Sequence, residues 1–143
     1  MPHKRLPALK KQKLYTEPTE NGLIENMEIY QMEANVKVDA GICGFKTKIT
    51  ATATDGMTVE WKIESSCDII KELAILLEKK LPINAIQELG PKNESLIKET
   101  ARPLLITKGC CEACVVPDAI CKAMYVAAGL ALPKNVLLEI TGK

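Results

Sequence analysis

From Met32 onward, apolar and polar residues alternate with a period of two. Met32, Ala34, Val36 and Val38 fall on one side, and Glu33, Asn35, Lys37 and Asp39 on the other. That is the pattern of a strand with one wet face. The loop Ala40-Gly41-Ile42-Cys43-Gly44 interrupts it, and a second strand sets Phe45, Ile49, Ala51 and Ala53 against Lys46, Lys48, Thr50, Thr52 and Thr54. Asp55-Gly56 predicts a two-residue hairpin turn. The returning strand places Val59, Trp61 and Ile63 opposite Glu60, Lys62 and Glu64. With Lys62 between them, Glu60 and Glu64 read as a solvated strand face rather than an acid–base pair.

The period then becomes helical. Ser65-Ser66 offers an N-cap and Asp68 suits the first turn. Ile69, Ile70, Leu73, Ala74, Leu77 and Leu81 then recur at helical spacing up to Pro82. One or two short helices are expected from Ile83 to Arg102, divided at Gly90-Pro91. A cysteine-rich loop, Gly109 to Cys114, leads into a helix from about Val116 to Gly129, with Pro117 in its first turn. Its core face is Val116, Ala119, Ile120, Ala123, Met124 and Ala127. After Pro133, Val136 to Thr141 reads as a last strand. Strands, then helices, then one strand predict a two-layer α+β domain. Its antiparallel sheet has about three strands plus the C-terminal one, covered on one face by helices.

Residues 1–31 follow a different rule. A basic block (Lys4, Arg5, Lys10, Lys11, Lys13) precedes an acidic one (Glu17, Glu20, Glu25, Glu28), and Pro2, Pro7 and Pro18 break any periodicity. This is the composition of a disordered tail or of an arm that orders on a protein partner, with Leu23-Ile24 as its anchor. The domain proper is then 32–143.

Charge and composition narrow the chemistry. Lys+Arg 19 against Asp+Glu 18 gives a net charge of +1 and no field to steer nucleic acid or a membrane surface. Aromatics are 3% of residues, too few for base-stacking platforms. No stretch has the apolar length of a membrane span, and no secretory signal pattern opens the chain, so a cytoplasmic protein is expected. The one histidine, His3, lies in the tail, which removes histidine triads and the commonest zinc sites from consideration.

The anomaly is six cysteines. In a reducing compartment these are metal ligands or redox groups before they are disulfides. A two-residue turn at Asp55-Gly56 would set Gly44 opposite Cys67, so one hairpin brings Cys43 and Cys67 together. Cys67 and Cys114 each stand where a helix begins, where free amides favour an anionic ligand. Cys111 and Cys114 form a chelating CxxC, with Cys110 as substitute for Cys111. Cys121, in mid-helix, reads as space-filling. Glu112 could tune a site or solvate its loop. Four thiolates without histidine suit zinc or an iron–sulfur cluster. With only one short-spaced pair, the balance falls to a cluster, most simply [4Fe-4S]. Ligands would be Cys43, Cys67, Cys111 and Cys114, and Phe45 and Ile42 would form an apolar wall. The rivals are a thiol–disulfide oxidoreductase using Cys111 and Cys114, and a zinc-stapled accessory subunit. A CxxC that does not follow a strand in a βαβ unit counts against the first.

Two resemblances attach to these residues. Val38-Asp39-Ala40-Gly41-Ile42-Cys43-Gly44-Phe45, Ser66-Cys67, Cys114-Val115-Val116-Pro117 and Ala128-Gly129-Leu130-Ala131-Leu132-Pro133 resemble a family of small cysteine-containing proteins of anaerobic archaea and bacteria, without assigned function. That resemblance covers roughly residues 32 to 141; it implies an anaerobic source and supplies no chemistry. The layout is also similar to U-type iron–sulfur scaffold proteins: Cys-Gly before a hairpin, a cysteine after it, a third entering a C-terminal helix. This implies that Cys43, Cys67 and one of Cys110, Cys111 or Cys114 are ligands. Phe45 stands where those scaffolds have an aspartate, no histidine precedes the third cysteine, and extra thiols are present. The expectation is therefore a firmly held cluster used in electron transfer, cluster carriage or redox sensing, in a protein that works with a protein partner rather than as an enzyme.

Overall fold

The computed structural model describes residues 10–13, 28–88, 90, 95–110 and 112–143. Among these residues five strands form one antiparallel sheet in the order β1-β2-β3-β4-β5. They are β1 (Lys10–Lys13), β2 (Glu28–Asp39), β3 (Lys46–Ala53), β4 (Thr58–Ser65) and β5 (Ile83–Asn84). Three helices stand beside it among the described residues: α1 (Asp68–Glu78), α2 (Leu96–Thr107) and α3 (Val116–Ala127). The result is the expected α+β architecture.

The alternation explains the layering. Thr47, Ile49, Ala51 and Ala53 of β3 are buried, as are Val59 and Trp61 of β4, while Lys46, Lys48, Glu60, Lys62 and Glu64 stay in water. The helices cover the apolar side. α3 lies along β2 and β3, α1 on β4, and α2 joins α1 to α3. Small residues on both surfaces, Ala34, Ala51 and Ala53 against Ala123 and Ala127, let α3 sit close to the sheet. Ile70, Leu73 and Leu77 of α1, Ile97 and Leu104 of α2, and Ile120 and Met124 of α3 fill the space between. Each large side chain buried this way contributes about 1.5–3 kcal/mol before chain entropy is counted.

Three expectations need correction. The hairpin loop has three residues rather than two, because Ala53 pairs with Val59 and the Thr54 N–H donates to the Thr58 carbonyl. The cause is Asp55. Its Oδ1 accepts the Met57 N–H at 3.0 Å and the Thr58 N–H, and its Oδ2 accepts the Thr58 hydroxyl at 2.8 Å. This side-chain turn draws Met57 into the loop, and Gly56, at φ 84°, supplies the left-handed step. The register moves by one residue, so Cys67 is level with position 45 and not with Gly44.

The second concerns α2, which runs through Pro103 to Thr107 instead of stopping at Arg102. Pro103 forfeits one backbone bond. In return Leu104 is buried, and the Thr107 hydroxyl donates to the Pro103 carbonyl at 2.8 Å. The third is the C-terminal strand: Val136 to Thr141 pairs with no strand among the described residues. Alternating apolar residues specify an extended chain but not a neighbour to pair with. The sheet is widened instead by β5 beside β4, and by β1, whose Lys10–Lys13 pair with Glu28–Gln31. The Leu23-Ile24 anchor and the other residues of 1–31 outside β1 and β2 lie outside the described residues.

Candidate functional site

Between β2 and β3 the chain makes a tight 3-10 turn, Gly41–Cys43. It is closed by the Ala40 N–H to the Phe45 carbonyl (3.1 Å) and the Gly44 N–H to the Gly41 carbonyl (2.9 Å). Gly41 and Gly44 have φ 78° and 73°, where a Cβ is strained, so the glycines bracket Cys43 for a backbone reason. The Gly41 N–H also donates to Asp39 Oδ1 at 3.2 Å. Cys43 is exposed, its thiol 3.8 Å from the Ala40 carbonyl.

Cys67 stands at the junction of β4 and α1. It is the N-cap of α1 in extended conformation (φ −87°, ψ 122°) and makes no side-chain capping bond. Its N–H donates to Ser65 Oγ at 3.1 Å. Ser66 fastens the junction to the start of β3: the Lys46 N–H donates to Ser66 Oγ at 2.9 Å, and the Ser66 N–H to the Lys46 carbonyl at 3.0 Å. Ser65 Oγ lies 2.8 Å from Thr47 Oγ1. Cys67 thus sits on a doubly braced corner, half-buried against the core.

Cys110 and Cys114 flank the loop between α2 and α3. The Cys110 N–H donates to the Leu105 carbonyl at 2.9 Å, wrapping the chain over the end of α2. Cys114 precedes Val115, the N-cap of α3, and packs half-buried against the core. Two ion pairs hold this loop: Arg102 Nη1 to Glu112 Oε1 at 2.7 Å, and Lys108 Nζ to Glu72 Oε2 at 3.7 Å. Glu112 is therefore tied to α2 through Arg102, a partner that the spacing of charges along the chain did not reveal.

The topology carries these loops to one end of the domain. Asp39 pairs with Lys46 and Thr47 with Ser65, so the Cys43 turn and the Cys67 corner share the same end of the sheet. Glu72, one turn into α1, holds Lys108, which brings the loop after α2 to that end. The far end of α3 lies toward the other end of the β2–β3 ladder, where a Cβ on Gly129 would be 3.7 Å from Met32 Sδ. Cys43, Cys67, Cys110 and Cys114 therefore all belong to one pole. Cys111 lies outside the described residues.

Two features of the pole differ from expectation. Ile42 is wholly exposed and Phe45 is 42% exposed, so they form a projecting lip and not a wall around the thiols. Phe45 precedes β3, whose pairing with β2 ends at Asp39–Lys46, and Ile42 lies in the 3-10 turn. In addition, among the described residues no three cysteine, histidine or carboxylate side chains are grouped as metal ligands. The thiols share a pole without sharing a centre.

Other side chains have ordinary structural explanations. Cys121 is half-buried on α3, and burial pushes its thiol up to about 11. Glu60 and Glu64 are exposed, and Lys62 Nζ lies 3.0 Å from Glu64 Oε1; this bond and the Lys62 charge hold the Glu64 carboxyl below its usual value. Sequence reasoning missed Glu88, a buried carboxylate that accepts the Leu96 N–H and the Ser95 hydroxyl at 3.0 Å and so anchors the start of α2. Its partners lie seven and eight residues on, beyond the reach of a capping-box pattern.

Residues 34–140 match the Family of unknown function (DUF6951). The chain belongs to that family. The match contains both hairpin strands, all three helices and every cysteine of the sequence. No curated protein and no solved structure matches the chain. Among the described residues no helix is long and apolar enough to cross a membrane.

Proposed function

We propose that this protein binds an iron–sulfur cluster, most simply [4Fe-4S], at the cysteine pole. The reading is supported by one observation: three separate cysteine-bearing segments lie toward one end of the fold. Cys43, Cys67 and Cys114 would be ligands, with the fourth from Cys111 or Cys110. The donor chemistry fits, because a thiol set without histidine suits iron–sulfur clusters, and suits zinc as the alternative.

The half-buried Cys67 and Cys114 would hold the inner side of the cluster at the starts of α1 and α3. Cys43, on its exposed turn, would close the outer side. Binding would draw the loops inward from their present separation, and would link metal content to the order of residues 40–45 and 109–115. One solvent-facing ligand on a short turn suits exchange of electrons or of a cluster with a docked partner, in a cytoplasmic protein of an anaerobe. Catalysis by the chain alone is not part of this reading.

Reconstitution with iron and sulfide under anaerobic conditions tests it. Charge-transfer absorption in the visible should appear in the native chain and in Cys121→Ser, and should be lost or strongly reduced in Cys67→Ser and Cys114→Ser. Equal spectra from all four proteins, or no absorption in any, would sink the proposal. Zinc bound in place of iron, with no sulfide, would favour the zinc-stapled reading.

A further inference from the structure

The helices cover the apolar face of the sheet, and the opposite face stays in water toward the cysteine pole. Lys37 of β2, Lys46 and Lys48 of β3, and Lys62 and Glu64 of β4 are all exposed on it. The ladder sets Lys37 directly opposite Lys48, and Lys46 stands two residues along β3 on the same face. A shallow groove of about 600 Å³ crosses the strands between Lys37, Lys46, Lys48 and Ser66.

The carboxylates around this groove are engaged elsewhere. Glu64, opposite Lys48, is held by Lys62 at 3.0 Å, Asp68 by Lys71 at 3.4 Å, and Glu72 by Lys108 at 3.7 Å. Asp39, opposite Lys46, accepts the Gly41 N–H with Oδ1 at 3.2 Å. Among the described residues no carboxylate makes an ion pair with Lys37, Lys46 or Lys48. Like charges directly opposite on neighbouring strands have Cβ atoms about 4.5–5.5 Å apart and destabilise the sheet. A negative charge brought from outside removes that repulsion.

The turn that closes β2 and β3 adds an apolar element to the same edge. Ile42 is wholly exposed and Phe45 is 42% exposed, and Lys46 follows Phe45 directly. We propose that this surface docks a protein partner through an acidic segment. Its carboxylates would lie along Lys37, Lys46 and Lys48, and an apolar side chain would rest on Ile42 and Phe45. Apolar anchors beside charges of one sign are the make-up of a protein interface. Nucleic acid fits less well, because its phosphates gain nothing from the lip. Docking here sets the partner against Cys43. Its use there, to exchange electrons or a cluster, rests on the cluster reading, whereas the docking itself does not.

The test is a titration of the isotope-labelled full chain, without added iron, with a short peptide of glutamates around one leucine. Amide shifts should concentrate at Lys37, Lys46, Lys48 and residues 41–45, and should fade with added salt. Lys37→Glu turns the like-charged pair into an ion pair. It should weaken binding about tenfold or more while holding or raising the thermal midpoint. Ile42→Ser should weaken the leucine peptide more than an all-glutamate one. Lys122→Glu, the same change of charge at an exposed position of α3, should bind as the native chain does. Absent or scattered shifts, or equal losses from Lys37→Glu and Lys122→Glu, overturn the proposal. So does a stronger response of the same amides to inorganic phosphate or to a duplex oligonucleotide. A cluster that forms in a chain that does not bind the peptide overturns this inference and leaves the cluster reading standing.

Discussion

The N–H of Cys67 donates to Ser65 Oγ at 3.1 Å, and that oxygen lies 2.8 Å from Thr47 Oγ1. A cysteine at the start of a helix is thereby fixed, through one hydroxyl, to the strand on the far side of a hairpin. The corner sets where α1 begins and hence where the thiol stands. Ser65→Ala should cost about 1 kcal/mol of stability, the usual net worth of such a bond. Urea unfolding measures it. In cluster-loaded protein the same change should speed loss of visible absorption, an effect that Ser65→Thr should not show.

Gly44 holds the Cys43 turn at φ 73° with nothing within 4 Å of the position of a Cβ. Gly44→Ala therefore meets no clash and acts through backbone strain alone, about 1–2 kcal/mol. Thermal unfolding should show that loss. Alkylation of Cys43 should also quicken, since strain at position 44 loosens the turn that presents it.

Asp55 makes its carboxylate an acceptor for Thr58 and Met57, and the Thr58 N–H first, then the Met57 N–H, hold its carboxyl below the usual 3.8. The lowered value means that the folded state binds this proton less readily than the unfolded chain. Its contribution is thus complete above about pH 4 and is lost as pH falls through the folded value. Asp55→Asn should flatten the acid limb of the stability curve below about pH 4, as followed by circular dichroism.

Cys121 supplies the opposite sign. Burial pushes its thiol from 9.0 up to about 11. Between those values the unfolded chain releases the proton and the folded chain keeps it, so stability falls as pH rises from 9 to 11. Cys121→Ala should reduce that slope. In iodoacetamide labelling at pH 8, followed by peptide mass spectrometry, Cys121 should react far more slowly than the exposed Cys43.

Glu88 is 7% exposed and accepts both the Leu96 N–H and the Ser95 hydroxyl. Glu88→Ala should destabilise the fold by about 1–3 kcal/mol, because it leaves buried donors at the start of α2 unmatched. Chemical denaturation would detect it, and Glu88→Gln should recover part of the loss.

Local periodicity was enough for the layers of this fold. The alternation from Met32 to Val38 and from Ile49 to Ile63 places the correct side chains inward, and the spacing of Ile70, Leu73 and Leu77 gives α1. What it missed depends on contacts distant in sequence or on single side chains. Asp55 adds a residue to the hairpin, Thr107 and buried Leu104 carry α2 past Pro103, and Glu88 reaches forward to Leu96. The C-terminal segment shows the same limit, since Val136 to Ile140 encode an extended shape but no neighbour. At the pole, the positions of Cys67 and Cys114 at helix starts were legible. The projection of Ile42 and Phe45 was not, because it depends on where the β2–β3 ladder ends, at Asp39–Lys46, and on the 3-10 turn that precedes it.

The central claim is that the thiols at this pole take a cluster. Its most direct test is the iron and acid-labile sulfide content of protein purified without oxygen. About four irons and four sulfides per chain are predicted, with visible absorption that oxygen bleaches. Protein that is colourless and free of both iron and sulfide, after expression with ample iron and anaerobic handling, would contradict the claim.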